Sequence, residues 1–289
     1  MSRPVMAVMS RSMLAVAAGV ALAAPLPLAA QSWKTFTSSR LVTNEDRLGV
    51  SVGYGAGVLK LSRGDEGSLY RALFRFDEET ADPVAEYGNQ HLRVGISIDD
   101  HRGRSFRGRS ESPSLDLQLG PDVPAAIELD FGAGRADVDL TGIPVSRLEL
   151  NTGASESVLR IRELNPEPME EAIITVGAAD LRVSGLGNFH TSDIEVNAGL
   201  GSVVLELDGR WVENAMLSVD MGLGALEIRV PESLGIRVHR QSRFLSTFDA
   251  ERLVRNGDVY QSVNWDAADR RVEIDVSAAL GSVDIVWIG

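Results

Sequence analysis

The chain has no cysteine in 289 residues. Disulfides, thiolate zinc sites and a cysteine nucleophile are therefore excluded, and a fold in any compartment must stand on packing and backbone pairing. Aromatic residues make up only 6 %, and the four histidines, His91, His101, His190 and His239, are scattered without metal-ligand spacing. Neither His-Glu-x-x-His nor Gly-x-Ser-x-Gly occurs, so zincin and nucleophile-elbow chemistry have no motif to stand on. Positive charge is scarce as well: 28 Lys and Arg face 41 Asp and Glu, a formal charge of −13. So acidic a surface repels nucleic acid and anionic lipid. It suits either solubility alone or a cationic partner.

Past the first thirty residues, no apolar run is long enough for a membrane helix. Arg3 and Arg11 precede an apolar stretch from Leu14 to Ala24, followed by Pro25, Pro27 and small residues. The pattern predicts a signal peptide over residues 1–30, with an uncleaved anchor as the alternative. Export, to the periplasm or outside the cell, follows, with no membrane span after cleavage.

What the sequence does have is a repeat. Gly132, Gly153, Gly177, Gly199 and Gly222 recur 21 to 24 residues apart, and Ala279 takes the same place after a gap of 57. An earlier copy surrounds Gly55. Five residues before this marker stand Ile127, Leu148, Ala172, Ile194, Leu217 and Ile274; three before stand Leu129, Leu150, Ile174, Val196, Val219 and Val276. Such columns describe the buried side of a period-two strand. The residues one after the marker, Ala133, Ala154, Ala178, Leu200, Leu223 and Leu280, are expected on that same buried side. Two after it every residue is small, and the apolar phase then flips to Ala136-Val138-Leu140, Val203-Leu205-Leu207, Leu226-Ile228-Val230 and Val283-Ile285-Trp287. A flip needs a bend, and glycine at the second position tolerates one.

Each copy thus reads strand, corner, strand, return. The expected fold is all-β: a β-solenoid of stacked coils of about 21–24 residues over 123–289, with a β-rich N-terminal module over 31–122. An antiparallel sandwich is the competing architecture. The Gly-x-Gly lacks the third glycine and the helix of a dinucleotide site, so the glycines are read as corners and no cofactor is expected.

Between the buried columns lies an outward ladder. Glu128, Asp130, Glu149, Asn151, Glu195, Asn197 and Asp220 form the candidate partner-binding face, for a cation, a glycan or a basic polypeptide; the plain alternative is ladder hydrogen bonding and solubility. Calcium-dependent assembly on the ladder is a further option. The Arg102, Arg104, Arg107 and Arg109 loop reads as exposed, Asp99-Asp100 as a turn pair, and Phe244, Leu245 and Phe248 as packing over a coil edge. Trp33, Trp211, Trp265 and Trp287 suit core plugs, end caps or sugar platforms alike, with Trp287 on the buried phase.

The stretches "VNWDAADRRVEIDVSAALGSVDIVW", "AGLGSVVLEL" and "MGLGALEIRV" resemble the toast-rack domain, a β-solenoid-like module of bacterial envelope proteins, including membrane proteins that respond to cell-wall-active antibiotics. Residues 41–98, with "LGVSVGYGAGVLKLSRGDEGSLYRALFRF", resemble its N-terminal module. The resemblance implies an exported, non-enzymatic envelope protein of interaction, adhesin-like or scaffolding type, with no catalytic residues to carry over. Its partner would be an envelope protein or a glycan, with oligomerisation left open. The antibiotic-response members carry membrane helices ahead of this domain, and here a signal segment stands in their place. The alternative function is a polysaccharide-acting lyase or hydrolase on a β-helix scaffold.

Overall fold

A computed structural model describes residues 33–79, 81–98, 112–240 and 247–289. The expected signal peptide, His101, Asp99-Asp100, the four-arginine loop, Phe244 and Leu245 lie outside the described residues. The chain opens with β1 (Trp33–Leu41), β2 (Leu48–Arg63), β3 (Ser68–Asp77), β4 (Ala81–Gly88), β5 (His91–Ile98) and β6 (Ser114–Leu119). Five longer strands follow: β7 (Ala125–Asp139), β8 (Val145–Arg160), β9 (Ala172–Ser184), β10 (Asp193–Glu206) and β11 (Ala215–Pro231). β12 (Gly235–Arg240), β13 (Thr247–Asp249), β14 (Leu253–Asn256) and β15 (Val259–Ser262) precede the last, β16 (Arg271–Ile288). No α-helix occurs among the described residues; one 3-10 turn spans Leu186–Asn188. The fold is all-β.

β2, β7, β8, β9, β10, β11 and β16 stack in that order, each parallel to the next. A sandwich of antiparallel hairpins does not pair this way. The register is that of the repeat: Leu150 lies against Ile174, Ile174 against Val196, Val196 against Val219 and Val219 against Val276. All five are buried, as are the residues five before the marker. Beyond the bend the second apolar set is buried too, from Ala136 and Val138 on β7 to Val283 and Ile285 on β16. Both halves of every long strand therefore point into one continuous aliphatic core, where each Leu, Ile or Val contributes about 1.5–3 kcal/mol by leaving water.

One expectation fails at the corner. The residues one after the marker are not buried: Leu200, Leu223 and Leu280 are 49 %, 47 % and 50 % exposed. The marker glycine and its successor both face outward, so the two-residue alternation breaks at the bend itself. The inward column ends one residue before the marker, at Phe131, Thr152, Val176, Ala198, Met221 and Ala278.

The short connections between the long strands stack as well. Ile161 N–H donates to Ser184 O at 3.2 Å and Leu207 N–H to Arg229 O at 2.8 Å. Two buried asparagines pin them. Asn165 Nδ2 donates to Val145 O at 2.7 Å and its Oδ1 accepts from Val145 N–H at 3.0 Å; Asn188 Nδ2 donates to Ile161 O at 2.9 Å. Such bonds satisfy backbone groups that the irregular returns leave without a strand partner.

Chain order departs from stacking order at both ends. β2 lies between β6 and β7, and β16 between β11 and β12. Pairing of β2 with β7 therefore joins the strands before residue 123 to those after it in one sheet, and residues Ser32–Gly289 form one compact unit. The gap of 57 residues holds β12, which adds a half rung on β16, and the antiparallel pair β14–β15. Phe248 sets its ring 4.6 Å from Tyr260. Trp265 is buried, with the Arg237 guanidinium 4.2 Å from its ring centre. Trp287 is partly buried against the core and donates its indole N–H to Glu251 O at 3.1 Å.

Candidate partner-binding face

Outward residues of the leading strand halves alternate with the buried columns, and parallel stacking turns each into a row. Four before the marker the row reads Glu128, Glu149, Ile173, Glu195, Ser218, Asp275; two before, it reads Asp130, Asn151, Thr175, Asn197, Asp220, Ser277. Neither row contains Lys or Arg. Glu128, Asp130, Glu195 and Asp220 are exposed, and Glu149, Asn151 and Asn197 are half-buried.

Ladder bonding is present. Asn151 Nδ2 donates to Asp130 Oδ1 on the neighbouring rung at 3.1 Å and to Glu149 Oε1 at 3.3 Å. Asn197 Nδ2 donates to Glu195 Oε1 at 2.7 Å, and Ser51 Oγ to Glu128 Oε2 at 3.2 Å. These bonds hold the carboxylates in place without neutralising them: among the described residues none of the row's acids is in an ion pair.

The row two before the marker is also the wall of a trough. One depression of about 620 Å³ is lined by Thr175, Asn197, Asp220 and Ser277 together with Ala198, Met221 and the marker glycines. A second, of about 440 Å³, is lined by Asp130, Asn151 and Thr175 with Gly55, Gly132 and Gly153. Thr175 is common to both, so the two depressions meet at β9 and together form a trough along the corner, from β2 to β8 and from β10 to β16. Its floor is backbone, exposed because the marker has no side chain. Beneath the β2–β7 part the rings of Tyr54 and Phe131 stack at 6.1 Å, and burial pushes the Tyr54 hydroxyl up. Asp130, Asn151, Asn197 and Asp220 line the trough; Glu128, Glu149 and Glu195 stand one pleat away, Glu195 beside a smaller depression of about 240 Å³.

The trailing strand halves are built differently. Arg135 pairs with Glu156 at 2.8 Å, Arg160 with Asp137 and Asp139, and Arg182 and Arg229 with Glu206 at 3.1 and 2.9 Å. Burial alone would push the Asp139 carboxyl up; hydrogen bonds from Thr141 and Arg160 and the Arg162 charge outweigh it and leave it below its ordinary value. The bond to Glu227 raises the Arg229 guanidinium. Among the described residues, most acids on that face have an Arg partner, Asp180 and Asp284 excepted; the acids of the two rows beside the trough have none.

Among the described residues no three His, Asp or Glu side chains converge to hold a metal ion, and no helix is long and apolar enough to cross a membrane. His91 meets Ser51 Oγ at 3.1 Å and His190 meets Asn165 O at 3.1 Å, two unrelated places. The ladder rows were readable in the sequence. The trough leaves no such trace in the sequence, since its depth comes from a floor of small residues.

Among curated proteins none matches this sequence. Among solved structures, a proposed cell adhesion protein from Clostridium sporogenes aligns over 88 % of this chain and 100 % of its own, at 16 % identity and a TM-score of 0.43. A proposed adhesin from Bacteroides fragilis aligns over 88 % and 97 %, at 9 % identity and a TM-score of 0.37. The family model described as the N-terminal domain of toast_rack, DUF2154, matches residues 30–184. With more than half its length so matched, the chain belongs to the toast-rack family.

Proposed function

We propose that this toast-rack protein is an exported, non-enzymatic component of the cell envelope. On this reading it is a β-solenoid that holds an envelope protein or a glycan along its acidic face, in an adhesin-like or scaffolding role. The observation that carries the reading is the register: seven parallel rungs set one polar row without ion pairs along two depressions that meet at Thr175. A core alone would not require the acids of these two rows to stand without an ion pair. The carboxylates of Asp130 and Glu149 both meet Asn151, but a polysaccharide-acting site would also need an Arg converging on them. No Arg, Lys or His lines the trough.

The test is crosslinking in intact cells with the wild type and with the Asp130→Asn, Glu195→Gln, Asp220→Asn triple variant. Loss of a crosslinked envelope species at unchanged melting temperature is expected. Retention of every species by a folded variant overturns the reading, as does turnover of any acidic or neutral polysaccharide, with or without calcium. Fractionation checks the location: the protein is expected outside the cytoplasm.

A further inference from the structure

Leu200, Leu223 and Leu280 lie in register on β10, β11 and β16 and form a half-exposed ridge one residue past the glycine floor. The fold does not require them. On the earlier rungs the same position is Ala56, Ala133, Ala154 and Ala178, and between β2, β7 and β8 the corner pairs through that alanine. Contiguous leucines held in water forgo burial that would stabilise the chain, and an exposed apolar patch rimmed by polar groups marks an interaction surface. Asn197 and Asp220 line the depression over β10, β11 and β16, with Glu195 one pleat away; the leucines follow the marker on the same rungs, beyond that lining, and neither row holds a cation.

We infer that the trough and ridge together take an extended cationic segment of another polypeptide, with apolar side chains at alternate positions, lying along the stack across the rungs. This rests on the partner-binding reading above and names the partner's chemistry. In an extended chain successive side chains point to opposite sides. A segment with its backbone over the glycine floor therefore sends one set toward the acidic wall and the other onto the leucines. Lys or Arg suits the first side and aliphatic groups the second. A second copy of this chain, or an anionic lipid surface, would bring negative charge against the same wall and be repelled. The leucine ridge covers three rungs, about 10 Å at about 4.8 Å per rung, and meets about three residues of such a segment; all seven rungs span roughly 29 Å, room for about eight or nine extended residues at about 3.3 Å each.

The test uses fluorescence anisotropy of the full chain with synthetic octapeptides. Alternating Lys-Leu is expected to bind at least tenfold more tightly than the same composition in blocks, four Lys then four Leu. Alternating Glu-Leu is expected not to bind, and a tetrapeptide of alternating Lys-Leu to bind more weakly than the octapeptide. Raising the salt weakens the interaction, because the wall's charges are exposed. Replacing Leu200, Leu223 and Leu280 together by Ser should reduce alternating Lys-Leu to the level of the blocked peptide. Should that variant fail to fold, the single Leu223→Ala change should weaken binding at least threefold. Equal binding of alternating and blocked peptides, no binding of the alternating one, or indifference to the leucine changes overturns the inference. If the intact-cell crosslink still depends on Asp130, Glu195 and Asp220 while the peptides fail, the partner-binding reading stands and only this one falls.

Discussion

A methyl group added to Gly222 would stand under 3.0 Å from the carbonyl oxygen of Gly199 on the rung before, closer than real Cβ atoms come. The marker position is glycine because rungs approach backbone to backbone there, and its own dihedral is ordinary. Two residues on, Gly224 meets a second demand: φ is +145°, where L side chains rarely go, and a Cβ would also strike Gly201 O. Where Ser155 takes that second place on β8, pairing with β9 skips from Thr152–Val176 to Glu156–Asp180. The Cβ of Gly177 would there clear Gly153 O by 3.0 Å. The corner thus loosens where glycine is missing. Gly222→Ala is expected to lower stability by about 1–3 kcal/mol. Gly53→Ala, with nothing within 4 Å of the added carbon, should stay within about 0.5 kcal/mol of wild type. Urea unfolding midpoints decide it, and equal losses at the two sites would contradict the close-approach account.

At the scale of the strand, the burial phase distinguishes leucines that look alike in sequence. Leu150 is buried between rungs and Leu223 stands half in water. Leu150→Ala should cost about 2–5 kcal/mol through lost transfer and a residual cavity. Leu223→Ala should cost about 1 kcal/mol or less. A thermal or urea series on both variants checks the phase directly, and a loss at Leu223 matching that at Leu150 would return the ridge to the core. The columns five and three before the marker, and those after the bend, were legible because identical residue classes recur at a fixed offset. Leu200, Leu223 and Leu280 were misread because an alternation was counted through a corner, where two successive residues face outward. The acidic rows were legible for the same reason as the core columns: they are its complement. Asn165 and Asn188 left no such trace, since each pins one return and neither recurs as a column. The elements between β11 and β16 are irregular in sequence for a related reason: they cover the end of the stack and have no rung beyond them to match.

At the scale of the whole described unit, what matters is that the chain does not build its stack in order. It lays down β2, covers one side of it with β5 and β6, and only then returns to place β7 on the other side. Every inward residue of β7's leading half is thereby matched across the division at 122/123: Ile127 by Val50, Leu129 by Val52, Phe131 by Tyr54. A stack of parallel strands needs its terminal members capped, because an open end exposes both its core and a row of unpaired backbone groups. We propose that 31–122 acts as that cap more than as a separate module. A fragment of residues 123–289 should then bind a dye for exposed apolar surface, elute in light-scattering chromatography as an associated species, and melt below the full chain. The association would run through the bare edge of β7, so restoring residues 31–122 in cis should abolish it. A fragment that stays monomeric and melts like the full chain would mean that the contacts between β2 and β7 join two self-sufficient units.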